Sequence, residues 1–171
     1  ANLNGADFAA ERAWLLLRMG EANAARAVIA YVDVEDYSPW LYQVAMQSAM
    51  ASADPAALCP VADAAVAQTG NRNWALARAV CAGLAGKAQA AQALFDDARR
   101  GTPASAIDNQ LAQRALGLGA QGRRSATIDW VGVTELTSWR WGMATAMGID
   151  VPDALYDVAA PQVRYWQAVA P

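Results

Sequence analysis

Reactive side chains are scarce in this chain. Two cysteines, Cys59 and Cys81, are accompanied by no histidine among 171 residues. That composition removes Ser-His-Asp and Cys-His nucleophile systems, histidine general bases and most zinc sites. A zinc ion would have to draw on carboxylates or a partner chain. Adjacent acids occur at Glu35-Asp36 and Asp96-Asp97. The first pair lies in a turn and the second on a helix end beside Arg99-Arg100. Both read as solvated surface rather than as two carboxylates facing across a glycosidic bond. The stretch GLGAQG (117–122) has glycines spaced like a phosphate loop, but no strand precedes it and no Lys-Ser follows. The expectation is a chain with no catalytic residues, no cofactor and no metal.

The cysteines suggest covalent structure instead. A turn at Gly70 between helices over 56–68 and 72–85 puts Cys59 and Cys81 each 11 residues from the bend. At 1.5 Å per residue both stand ~16 Å from it, at matched height on an antiparallel pair. The spacing predicts a disulfide, worth ~3 kcal/mol through loop closure. The alternative is two small core residues, the usual place of free cysteine. A bond implies an oxidising compartment, the periplasm or the cell exterior.

Tryptophan is the other unusual feature, with seven in the chain. In an alanine-rich protein most of these rings are needed to fill space between slender helices. Trp139 and Trp141, two residues apart, point about 200° from each other around a helix. This predicts one exposed indole beside Arg140, and Trp139, Arg140 and Trp141 form a candidate surface for stacking on a sugar or a peptide side chain.

The elements that must position these residues are helices. Alanine supplies roughly a quarter of the sequence and β-branched residues are sparse, so intrinsic preference is helical and the expected class is all-α. A net charge of −3 comes from 16 acidic and 13 basic residues, with no basic run longer than Arg99-Arg100 or Arg123-Arg124. Nucleic-acid binding needs a clustered positive face, so none is expected. Strictly apolar stretches such as 27–32 run to about six residues, far short of a bilayer span, so no membrane insertion is expected. The start at Ala1 fits either a processed secretory protein or a trimmed one. The proline-ended last segment suggests a fragment of a longer protein.

Aligning LRMGEANAARAVI (17–29) with GLAGKAQAAQALF (83–95) superposes Gly20 on Gly86, Ala25 on Ala91 and Ile29 on Phe95, at an offset of 66 residues, twice 33. Asp54-Pro55 and Gly119 to Gly122 supply breaks near the half-period. The chain therefore parses into helices over 6–19, 21–32, 39–52, 56–68, 72–85, 87–100, 104–117 and 123–131. Hairpins recurring every ~33 residues stack into a right-handed superhelix. Beyond them, TELTSWRWGMATAMG predicts a helix opened by a capping box at Thr134 to Thr137 and ended at Gly148, followed by two short helices broken at Pro161.

The period and its small residues, Ala13 and Ala25 in the first unit and Ala79 and Ala91 in the third, resemble the tetratricopeptide repeat. Pro103 stands where that family closes a unit. Leu16 and Ala82 replace the family's first-helix aromatic, and the second and fourth units match in spacing alone. The resemblance implies a right-handed α-α solenoid over residues 6–131, capped by 134–171, as one domain. It also puts Cys59 at the position of Ala25 and Ala91, in the close crossing of a hairpin. The composition alone is similar to alanine-rich polypeptides named for antifreeze activity. Ice-binding helices present threonine at an 11-residue repeat, and the few threonines here form no such series.

The function these features imply is a non-catalytic scaffold, periplasmic or secreted, whose concave face holds a protein or peptide partner. A second reading is an envelope-glycan or peptidoglycan-associated module using the exposed tryptophans.

Overall fold

The computed structural model describes residues 5–101, 105–119 and 126–169. Among the described residues there are α-helices and short 3-10 turns and no strand, as the alanine-rich composition requires. The helices are α1 (Gly5–Arg18), α2 (Ala22–Ile29), α3 (Pro39–Ala51), α4 (Ala62–Thr69), α5 (Arg72–Leu84), α6 (Ala88–Gly101), α7 (Ala106–Gly119), α8 (Ser138–Ala146), α9 (Asp153–Asp157) and α10 (Pro161–Val169). The 3-10 turns are Val34–Asp36 and Pro55–Leu58.

Three helices end in the same way at a constant interval. After α1, Gly20 takes φ +84° while the Glu21 N–H reaches back to the Leu16 carbonyl. After α3, Ala53 takes φ +49° with Asp54 bonded to Ala49, and after α5, Gly86 takes φ +75° with Lys87 bonded to Ala82. These are left-handed C-terminal caps, and they stand 33 residues apart. The small residues expected at the crossings are buried: Ala13, Ala25 and Ala79 are fully covered and Ala91 is 2% exposed. Each cap turns the chain back, so α1 packs on α2 and α5 on α6, and α3 in turn packs on α1 and α2.

The expected helix over 56–68 is not continuous. Pro60 has no N–H to give the Ala56 carbonyl, and its ring would press on that carbonyl in an α-helix. The segment tightens instead into the 3-10 turn, where Cys59 donates to Ala56 and Val61 to Leu58, before α4 begins.

The expected helix over 123–131 is also corrected. Residues 123–125 lie outside the described residues, and 126–131 are non-helical. Thr127, Ile128, Val131 and Val133 are β-branched, and local side chains claim the backbone. Gln110 Oε1 accepts from Asp129 N at 2.9 Å, and Asp129 Oδ1 from Val131 N at 2.9 Å. Pro103 and the end of GLGAQG past Gly119 lie outside the described residues.

The helix expected to open at Thr134 opens at Ser138, with Thr137 as its N-cap accepting from Arg140 N at 3.3 Å. Glu135 is not three residues past a capping threonine, so the reciprocal bond of a capping box does not form. The far end agrees with expectation: Gly148 takes φ +64° just beyond α8.

The C-terminal helices return over the earlier ones. α8 packs on α3 and α7, and α10 on α1. Gly142 is what permits the first contact, since a Cβ there would lie 2.7 Å from Met50 Cα, Cβ and O. Trp166 Nε1 donates to the Leu17 carbonyl at 3.3 Å and closes the second. The core thus runs through the whole described chain, from Ala10 and Leu17 to Val163 and Trp166.

Candidate functional site

Cys59 ends the 3-10 turn Pro55–Leu58 and Cys81 lies on α5, which packs against that turn. Their Cα atoms are 5.4 Å apart and the sulfurs are at bonding distance. The pairing predicted from equal spacing about Gly70 is therefore in place, although Pro60 has rebuilt the helix that was to carry Cys59. Its effect is local: it ties the turn between α3 and α4 to the middle of α5.

The surface predicted at Trp139, Arg140 and Trp141 is not formed. Trp139 is 2% and Trp141 1% exposed. The 200° argument presumed that α8 has a solvent side, whereas α8 is wedged between α3 and α7, and Trp141 also meets Trp166 of α10 with centroids 5.9 Å apart. The other five tryptophans are buried or half-buried. Arg140 is equally engaged. Its Nε donates to Asp108 Oδ1 at 2.8 Å, one terminal nitrogen to the Glu135 carbonyl at 2.6 Å, and the other to Ser105 Oγ at 2.9 Å. Arg72 flanks the same carboxylate and donates to Asn109 Oδ1 at 2.6 Å. Burial lowers its pKa, against which Asp108 acts. These residues fasten α5, α7 and α8 to one another.

The accessible concavities lie around the 3-10 turn Val34–Asp36. On one side a groove of about 590 Å³ runs between α2, α3 and the start of the Pro55–Val61 segment. Its walls are apolar, with Ile29, Ala30, Val34, Ala45 and Val61 among them. One end carries Arg26, whose guanidinium is 3.0 Å from Asp54 Oδ2 and 3.4 Å from Ser52 Oγ. That ion pair braces α2 against the end of α3.

On the other side of the turn a second cavity, about 670 Å³, is bounded by Asp33, Glu35, Tyr37, Tyr42, Ala64 and Gln68. Val34 and Tyr37 line both cavities. Tyr37 and Tyr42 stand with ring centroids 5.1 Å apart, and Tyr42 meets Trp74 edge-on at 6.1 Å. Burial raises the Tyr37 phenol above its ordinary range, as does the neighbouring Tyr42; burial alone raises Tyr42. No three His, Cys, Asp or Glu side chains among the described residues are grouped to hold a metal.

Sequence reasoning placed Glu35-Asp36 on the surface, where both are exposed. It missed the aromatic wall behind them. The available signal was DVEDYSPWLY, in which acids and tyrosines alternate through a turn into a proline-started helix. No family model, no curated protein and no solved structure matches this chain. Chemically, the paired cavities offer apolar burial on one side of Tyr37 and negative charge on the other.

Proposed function

We propose that this chain is a non-catalytic helical-repeat scaffold of the bacterial envelope that binds a protein or peptide segment. The observation that carries the reading is the open apolar groove between α2, α3 and the Pro55–Val61 segment, because α8 and α10 cover the faces of α1, α3 and α7. The partner surface is thus the outer groove rather than the inner face of the array. A slot of that size with small alanines on its rim suits an extended or helical segment with apolar side chains.

The 33-residue recurrence of the caps after α1, α3 and α5 supports a tetratricopeptide-like superhelix of hairpins. Cys59 and Cys81 at bonding distance favour an oxidising compartment, hence the periplasm or the cell exterior. No helix among the described residues is long and apolar enough to cross a membrane. The buried tryptophans withdraw the support for glycan stacking.

The test is site-resolved photo-crosslinking in intact envelopes. A benzophenone side chain at Ala30, exposed on the groove rim, should join to one discrete polypeptide. The same probe at Gln89, exposed on α6, should not. Equal labelling at the two positions, or none at Ala30, rejects the groove as the partner site.

A further inference from the structure

The cavity beyond Tyr37 differs from the groove in charge. Asp33, Glu35 and Asp36 fall within four residues, and none of them forms an ion pair among the described residues. Asp33, at the start of the 3-10 turn, makes no capping bond with its side chain. Asp33 and Glu35 both line the cavity, so their charge has no structural counterweight there.

Tyr42 is an independent sign. Only 2% exposed, it lines the same cavity, and among the described residues its hydroxyl has no hydrogen-bond partner. A buried phenol with an open polar end is normally satisfied by something in the space it borders. Tyr37 adds a second ring 5.1 Å away, and no arginine or lysine of the described chain lies over either ring. Two aromatic rings with two unpaired carboxylates are the elements that recognise an organic cation. Chelation of a metal ion would need more converging ligands than the described residues bring together.

We propose that this cavity receives a single organic cation, the guanidinium or ammonium group of a basic side chain on the segment held in the adjoining groove. The inference rests on the proposed groove reading and adds the chemistry of the partner: an apolar run with an arginine or lysine at the end that passes Tyr37. Val34 and Tyr37, shared by the two cavities, are where that segment crosses from one to the other.

Titration of the full disulfide-intact chain tests it, read by NMR shifts of the Tyr37 and Tyr42 ring protons. The first probe is N-acetyl-argininamide, with N-acetyl-glutaminamide as its neutral counterpart. Saturable shifts are expected with arginine only, weakened about tenfold in the D33N/E35Q double variant. Both positions are exposed and unpaired, and an unchanged circular dichroism melt verifies that the variant is folded. Absence of saturation, equal response to glutamine, or an unaltered double variant overturns the cation site.

The second probe is a capped hexapeptide of alternating leucine and alanine ending in arginine, against the same peptide ending in glutamine. The arginine peptide is expected to bind at least about tenfold tighter than either N-acetyl-argininamide or the glutamine peptide. Equal affinity of the two peptides keeps the groove and rejects the cation. Equal affinity of the arginine peptide and N-acetyl-argininamide rejects the groove-bound segment as the source of the cation.

Discussion

Replacing Gly142 by alanine would force α8 away from α3. The added methyl would sit 2.7 Å from Met50 Cα, Cβ and O, where ordinary contact is 3.4–4 Å. Two of those three atoms are backbone, so no rotamer change relieves the clash. The helices must separate by about 1 Å, and a gap of that size forfeits a quarter to a half of the dispersion attraction across the seam. The residues losing contact are Trp139, Trp141, Met143 and Ala144, none more than 2% exposed. Overpacking of this kind costs ~1–3 kcal/mol and the backbone contact puts it at the upper end, while alanine returns ~1 kcal/mol of helix propensity.

The expected net loss in G142A is about 2 kcal/mol. Urea unfolding followed by tryptophan fluorescence would show it as a lowered midpoint at constant slope. Two companions calibrate the result. Gly148→Ala meets open space but φ +64°, and should lose ~1 kcal/mol from backbone strain alone. Gly83→Ala meets Leu116 Cδ2 at 3.1 Å, a flexible methyl, and Leu116 Cα at 3.3 Å, and should fall below G142A in cost. A G142A midpoint equal to or above that of the parent chain would refute the seating of α8 on Met50.

Three further outcomes are expected. The intact non-reduced chain should be two hydrogens light and resist alkylation under denaturing conditions, and the C59S/C81S variant should lose ~3 kcal/mol in the same urea assay, the closure entropy of a 22-residue separation. Asp108→Asn removes the carboxylate that Arg140 grips and Arg72 faces; at side-chain exposures of 11% and 17% for the Arg140–Asp108 pair, a loss of ~2–4 kcal/mol is expected, and a double-mutant cycle with Arg140→Gln should show coupling above about 1 kcal/mol. Tyr37, Tyr42 and Tyr156 have phenols raised above 10.0 by burial, so folding holds them neutral. Their contribution is complete below the ordinary tyrosine range and is lost as pH rises from there through the raised values. Absorbance at 295 nm should show these three ionising late and together with alkaline unfolding; early, independent ionisation would contradict their burial.

What the sequence disclosed was what depends on local chemistry. Gly20 and Gly86 marked two of the three left-handed caps because glycine is the residue that takes that backbone without strain. The third cap falls on Ala53, which carries no such mark, so the sequence pointed only to the neighbouring Asp54-Pro55. The cysteine pairing was legible for a similar reason: equal distance from Gly70 survives even when Pro60 replaces helix by a 3-10 turn.

The tertiary partners of α8 were not legible. A helix wedged between two others is apolar all round, and SWRWGMATAMG does show that pattern. The angular argument at Trp139 and Trp141 assumed a single buried face, and the helix has more than one. The cavities beside Val34–Asp36 were hidden for another reason. They arise where α2, α3 and α4 fail to fill space, and voids leave no periodicity in a sequence.

The bond from Trp166 to Leu17 joins residues 149 positions apart. A ribosome adding ~5–20 residues per second takes about 7–30 s to cover that distance. Throughout that interval α1 is already made while the helix that will cover it is not, and α3 waits likewise for Gly142. The protein therefore passes through a stage at which its earliest helices are formed but open, and a premature stop or a cut ahead of Ser138 would hold it there. Such a product would expose the flanks of Leu17 and Met50 to chaperones and proteases, so the return of α8 and α10 acts as a completion mark that separates finished molecules from unfinished ones.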